Sequence, residues 1–136
     1  MTRIESKKVD VPCSNEDCFT FLTDLNNYQL LLPKEKVSDW KSDENSCSFK
    51  IQKTYKLELI LESTTEYSTV NLKSGENSPF AFTLAISIEG GDASNVQLIC
   101  DADINPFLKM MVEKPLSNLF DYMADRLVKV KSEAKA

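Results

Sequence analysis

The sequence offers few side chains for catalysis, because it contains no histidine. Histidine is the commonest general base near neutral pH. Its absence excludes Ser-His-Asp and Cys-His catalysis and every metal site that contains a histidine. The chain also has only three glycines, of which Gly90 and Gly91 are adjacent. This scarcity excludes a phosphate-binding loop and a dinucleotide-binding turn.

Carboxylates at strand spacing are the next candidates for acid–base chemistry. Asp101 and Asp103 share one strand face, but the apolar Leu98 lies on the opposite face. Glu58 and Glu62 likewise lie opposite the leucines of their own strand. A catalytic acid–base pair must point into a site rather than into solvent. We therefore predict solvated carboxylates and no catalytic residue.

The four cysteines and one tyrosine complete the set of candidate reactive groups. Cys13, Cys18, Cys47 and Cys100 lack the CxxC spacing of a zinc site, so we predict no metal and no cofactor. Cys100 is expected to face inward, where a buried thiol without a base is inert. Tyr67 could donate a hydrogen bond inside a cavity, although a buried tyrosine bonded to a neighbour is the simpler interpretation.

Charge and cysteine usage indicate the compartment and the classes of partner. The net charge of −5, without a dense basic patch, argues against nucleic-acid binding. No apolar run approaches the roughly 20 residues of a membrane span. The first residues lead directly into an alternating strand without the pattern of a signal peptide, and scattered thiols are typical of a reducing compartment. We expect a cytoplasmic protein that binds no nucleic acid and has no membrane span.

The first third of the chain is predicted to contain one strand and two short helices. Residues 4–11 alternate as a strand that Pro12 ends. Ser14 is a typical N-cap for the first helix. A second short helix is predicted over residues 28–32, because Pro33 stops it.

The middle of the chain has the period of two that is typical of strands. A slip in the apolar positions from Tyr67 to Val70 predicts a bulge in the fourth of them. Together the segments indicate one antiparallel sheet with one covered face. The predicted strands cover residues 37–41, 47–51, 57–61, 65–73, 80–88 and 96–102.

The last third changes to the apolar spacing of an amphipathic helix. Asn105 and Pro106 are typical of a helix start. Pro115 removes one backbone donor, which predicts either a kink or a short helix over 106–113 followed by a long helix from Pro115. The simplest way to bury both apolar surfaces is to wrap the curved sheet around this helix.

Several segments, in order, match the pattern of a known superfamily. Residues 11–22 read VPCSNEDCFTFL, and residues 24–33 contain DLNNY followed by Leu-Pro. Residues 57–63 and 79–82 fit the central strands, and DADINPFLKMMVEKPL at 101–116 is the most specific match. The chain resembles the START-like (SRPBCC) superfamily, whose members include pollen allergens, lipid-transfer domains and polyketide cyclases. The closing segment is similar to small bacterial members without an assigned function.

This resemblance implies a fold and a place for a ligand. The implied fold is the α+β helix-grip: a curved antiparallel sheet of about seven strands around a long C-terminal helix, with two short helices between strands 1 and 2. Residues 1–136 would form a single domain of this type. A cavity between sheet and helix would suit an apolar ligand, although the same side chains could simply fill the core. The expected lining residues are Trp40, Phe49, Leu59, Tyr67, Phe82, Leu84, Leu98, Phe107, Met111, Leu119, Phe120 and Met123.

Three functional hypotheses follow, because one fold carries many functions. The first is a cytoplasmic binding protein for a small hydrophobic ligand, lipid-like or polycyclic, held between the sheet and the C-terminal helix. The second is a protein-interaction module with a filled core, which would bind a protein partner. The third and least favoured is a metal-free enzyme of the cyclase or dehydratase type, which requires an inward carboxylate or tyrosine.

Overall fold

The computed structural model describes residues 2–51, 55–76 and 78–135, and these ranges form eight strands, two α-helices and one 3-10 helix. The strands are β1 (Thr2–Glu5), β2 (Val9–Val11), β3 (Val37–Ser42), β4 (Ser46–Ile51), β5 (Tyr55–Thr65), β6 (Thr69–Ser74), β7 (Ala81–Gly90) and β8 (Ser94–Asp103). The helices are α1 (Asn15–Leu22), the 3-10 helix (Leu25–Leu31) and α2 (Pro106–Lys135).

All the strands belong to one antiparallel sheet, and its order confirms the predicted fold class. The order is β1-β8-β7-β6-β5-β4-β3, with β2 also paired to β8. The predicted first strand is divided in two at Ser6, whose backbone N–H donates to the Leu98 carbonyl and whose hydroxyl accepts from the Leu98 N–H. The sheet therefore has eight strands where about seven were expected. The short helices lie between this divided strand and β3.

Period-two alternation places one face of the sheet against α2. In β7 the buried positions are Phe82, Leu84, Ile86 and Ile88, and β8 alternates in the same way. Full burial of such a side chain stabilises the fold by about 1.5–3 kcal/mol. On α2 the buried residues recur every three or four positions, as predicted. They are Val112, Leu116, Leu119, Phe120, Met123, Ala124 and Leu127.

The hairpin between β5 and β6 differs from the prediction of one strand over 65–73. The strand ends at Thr65, and residues 66–68 form a turn that the Ser68 N–H closes on the Thr65 carbonyl at 3.0 Å. Tyr67 has a φ of 61° in this turn. The register shift lies earlier, on β5 between Leu61 and Ser63. The shift in apolar positions from Tyr67 to Val70 therefore reflects this turn, and the predicted bulge within a continuous strand is wrong.

Helix α2 is continuous through Pro115, so of the two predicted alternatives the division is wrong and the kink stays a prediction. The start is as predicted, because the Asn105 side chain accepts a hydrogen bond from the Leu108 N–H at 2.8 Å. In the first third, Ser14 caps α1 as expected by accepting from the Asp17 N–H. The second helix begins at Leu25, not at residue 28. Within the described ranges, no helix combines the length and apolar character needed to cross a bilayer.

Candidate functional site

A groove of about 770 Å³ lies between the middle of α2 and the segment that connects the 3-10 helix to β3. We call it the α2 groove. Its lining residues are Gln29, Leu30, Leu32, Pro33, Lys34, Glu35, Lys36, Val37, Ile51, Lys114, Pro115, Asn118, Leu119, Tyr122 and Arg126.

The α2 wall of the groove is a stripe of residues at every fourth position. Lys114, Asn118, Tyr122 and Arg126 follow one another along the helix. Residues four apart lie on the same helix face. With a rise of about 1.5 Å per residue, the stripe is roughly 18 Å long. It therefore presents a cation at each end and neutral side chains between them.

The opposite wall is held in place by the 3-10 helix and a turn. Tyr28 is fully buried and its hydroxyl donates to the Leu22 carbonyl at 2.8 Å, which fastens this helix to α1. After the helix, the Pro33 carbonyl accepts from the N–H groups of Lys36 and Val37 at 3.0 and 3.1 Å. This turn exposes residues 34–36 at the edge of the groove.

Arg126 joins the two walls. Its Nε donates to the Leu30 carbonyl at 3.1 Å, across 96 positions of sequence. The side chain is half-buried, and it lies at one end of the α2 stripe. Its guanidinium is therefore held in place rather than extended freely into solvent.

The groove combines an apolar floor with a basic rim. Leu32, Ile51 and Leu119 are buried beneath it, while Leu30 and Tyr122 are partly exposed beside it. The rim carries four cations and one carboxylate and so has a formal charge of +3, although the whole chain carries −5. The cations are Lys34, Lys36, Lys114 and Arg126, and the carboxylate is Glu35.

A second space, between the sheet and the first half of α2, measures only about 10 Å³. Ile51 and Pro115 line both this space and the groove. A volume of this size holds about one water molecule. None of the twelve expected lining residues lines this space.

Eight of the twelve expected lining residues are buried, and one of these, Leu119, contacts the groove. Trp40 is half-buried and stacks on Phe49 with ring centroids 5.9 Å apart. The buried eight are Phe49, Leu59, Phe82, Leu84, Leu98, Leu119, Phe120 and Met123. Contact of any of the twelve with a ligand stays a prediction.

The other three expected lining residues lie at the surface, which corrects their predicted inward position. Tyr67 is 40% exposed in the β5–β6 turn, with its ring perpendicular to that of Phe19. Phe107 and Met111 are 75% and 49% exposed on the first turns of α2. Each precedes an inward-facing residue by one position, and one position is about 100° around a helix. Phe107 and Met111 therefore lie beside the buried stripe of this helix, whose other positions were assigned correctly.

The four cysteines are free and buried. Burial raises the pKa of the Cys18, Cys47 and Cys100 thiols, each to about 12. A thiol of this kind stays protonated and is a poor nucleophile near neutral pH. Asp101 pairs with Arg3 at 2.9 Å on the outer side of the sheet edge.

Comparisons with known proteins establish the fold. No protein-family model matches the chain, and no curated protein matches it. Among solved structures, XoxI from Bacillus cereus is 12% identical, with a TM-score of 0.77 over 100% of this chain and 99% of that protein. A START superfamily protein from Mycobacterium smegmatis is 14% identical, with a TM-score of 0.74 over 97% and 98%.

A plant enzyme has the same architecture. A norcoclaurine synthase point mutant from Thalictrum flavum is 18% identical, with a TM-score of 0.71 over 99% of this chain and 96% of the enzyme. Similarity at this level of identity defines the architecture and not the activity. The chain thus has the START-like helix-grip fold that its sequence motifs predicted.

Most of the groove residues were not identified from the sequence. The stripe from Lys114 to Arg126 has a regular spacing of four that could have indicated a shared helix face. The facing wall comes from residues 29–37, about 80 positions earlier in the chain. Nothing in a local pattern pairs two segments at that separation.

Proposed function

We propose that this protein is a cytoplasmic binding protein for a small hydrophobic ligand, and that the ligand lies in the α2 groove. The groove itself carries the proposal. Its volume of about 770 Å³ falls within the range of small-molecule sites. Its buried leucines and isoleucine offer an apolar contact surface, and the polar and charged residues of the rim can orient a ligand on it.

Two further observations support this assignment. Norcoclaurine synthase from Thalictrum flavum, which has the same architecture, has been solved in complex with dopamine and hydroxybenzaldehyde. In another protein, the same fold therefore holds small organic molecules.

The four free thiols of the present chain favour a reducing compartment. The single sheet and the single core cluster favour one domain over residues 1–136.

The proposed location differs from the one expected from the sequence. A ligand in the α2 groove contacts the helix on the side of the 3-10 helix, and Leu119 is the expected lining residue that it reaches. Ligand contact with Phe49, Leu98 or Phe120 requires α2 to move away from the sheet, because these side chains are buried in the filled core.

A groove-filling variant tests the proposal. Asn118 is exposed on the α2 wall, so Asn118→Trp places a large ring in the groove without disturbing the core. Lys129→Trp is the matched control, since Lys129 is exposed on the same helix outside the groove. Binding of the neutral dye Nile red is measured by fluorescence. We expect Asn118→Trp to weaken binding about tenfold or more and the control to leave it unchanged. Equal binding by both variants, or no binding by the parent protein, contradicts the proposal.

The second candidate function, a protein-interaction module with a filled core, is favoured by the exposed start of α2. Phe107, Met110 and Met111 are 75%, 87% and 49% exposed there. Large apolar side chains grouped at a surface are typical of interaction sites. Native mass spectrometry of protein from its own host separates the two functions. A co-purified small molecule favours the groove, whereas a stoichiometric polypeptide that Phe107→Ser releases favours the module.

A further inference from the structure

The cations of the α2 groove have no anionic partner among the residues that the structure describes. In the described part of the chain, none of Lys34, Lys36, Lys114 and Arg126 forms an ion pair. Unpaired cations that surround an apolar floor attract organic anions, and the attraction strengthens as the bound ligand excludes water. This arrangement occurs in a chain whose overall charge is −5.

Three acidic residues of α2 interact with groups outside the groove. Asp121 accepts a hydrogen bond from the Lys7 backbone N–H, and Asp125 pairs with the Lys7 ammonium, both at 2.8 Å. Glu113 pairs with Lys109 at 3.7 Å. None of these three carboxylates lines the groove. These three carboxylates therefore lie away from the groove, whereas Lys114 and Arg126 of the same helix line it.

Arg126 is already oriented for an anion. Its Nε is bonded to the Leu30 carbonyl, and among the described residues its two Nη groups donate to no protein acceptor. A guanidinium presents donors in a rigid fork that matches a carboxylate or a phosphate. Because one bond already holds the side chain, less conformational freedom is lost when a ligand binds.

We propose that the ligand of the α2 groove is an amphipathic organic anion, with its apolar body on the floor and its carboxylate or phosphate against the basic rim. This inference rests on the proposed function, because it names the chemical class of ligand for the same site. The apolar body contacts Leu32, Ile51 and Leu119. The anionic group accepts hydrogen bonds from Arg126 and is attracted by the lysines of the rim.

Four probes with the same alkyl chain test the head group. Dodecanoate, dodecyl phosphate, neutral dodecanol and dodecyltrimethylammonium are titrated into the protein by calorimetry. The variants are Arg126→Gln and the double variant Lys34→Gln with Lys36→Gln. The matched control is Lys129→Gln, which removes an exposed cation of α2 outside the groove. The double variant keeps the test valid if loss of the Leu30 contact unfolds Arg126→Gln.

We expect the parent protein to bind one or both anions about tenfold or more tightly than dodecanol, and the cation least. Both groove variants should reduce this preference, while Lys129→Gln leaves it unchanged. Raised salt should weaken the binding of the two anions alone.

Equal affinity for dodecanoate, dodecyl phosphate and dodecanol overturns the inference and leaves the proposed function standing. If no probe binds, both are contradicted. Binding to phosphatidylglycerol vesicles without binding to any monomeric probe overturns the inference in favour of a membrane surface.

Discussion

Burial determines the chemistry of the cysteine thiols at the residue scale. Cys18, Cys47 and Cys100 have 0%, 2% and 1% of their surface exposed, and each has a pKa raised to about 12. In the unfolded chain a thiol has a pKa of about 8.5. Burial also raises the pKa of Tyr28 well above its usual value. The native state therefore keeps protons at high pH that the unfolded state releases.

Stability should consequently fall in alkaline solution. For a group whose pKa is raised by folding, the stabilisation is complete below the unfolded pKa and is lost as the pH rises toward the folded value. Between about pH 9 and 12 each buried thiol lowers the free energy of unfolding by about 1.4 kcal/mol per pH unit. We expect Cys100→Ala to reduce this slope by about that amount in urea unfolding measured as a function of pH.

The control for Cys100→Ala is a substitution on the same strand that shortens a side chain without an ionisable group. Val96 lies on β8 with the same inward direction as Cys100 and is fully buried. Val96→Ala should lower stability by about the same amount at every pH, because it removes apolar contacts and no proton. An unchanged alkaline slope in Cys100→Ala would show that this thiol ionises equally in both states.

Residue patterns predicted burial more reliably than they predicted the site. The alternation in β7 and β8 correctly placed Phe82, Leu84 and Leu98 inside, because a period of two leaves one covered face. Tyr67 was misplaced because its positive φ closes a turn, and a tyrosine gives no local signal for that conformation. Arg126 was overlooked as a groove residue, because its partner carbonyl is 96 positions away.

At the scale of the element, α2 contains a proline that its own hydrogen bonding does not favour. Pro115 lacks an N–H, so the Met111 carbonyl has no partner four residues on, and the ring crowds the preceding turn. The helix stays continuous because its apolar face is buried against the sheet on both sides of this residue. Packing therefore outweighs the local preference that predicted a division.

Pro115→Ala should for this reason stabilise the protein. Restoring the hydrogen bond and relieving the crowding raises the free energy of unfolding by up to about 3 kcal/mol, less the apolar contact that the ring makes in the groove. Urea unfolding measures the change. Pro106→Ala is the matched control, because proline is well tolerated at the first position of a helix and no comparable gain is expected there. Equal effects of the two substitutions would contradict this account.

At the scale of the whole molecule, the groove brings together distant parts of the chain. Residues 29–37 and 114–126 form its two walls. The strongly periodic strands β7 and β8 belong to the sheet and contribute no residue to the groove. The sequence predicted the sheet and the long helix because both have strong periodicity. It did not predict the groove, since the position of a connecting segment on a helix depends on tertiary packing such as the buried Tyr28 and the Arg126–Leu30 hydrogen bond.

Hydrogen exchange distinguishes a ligand in the groove from a ligand in the core. Exchange is slow where structure opens rarely, and a ligand slows it further in the segments whose opening releases it. Dodecanoate should therefore protect residues 29–37 and 114–126 in mass-resolved exchange, and Asn118→Trp should remove that protection. Protection restricted to β4, β5 and β8 would instead show that the chain enters between sheet and helix, where Phe49, Leu59 and Leu98 lie. That outcome requires α2 to move away from the sheet, since these three side chains are at most 4% exposed.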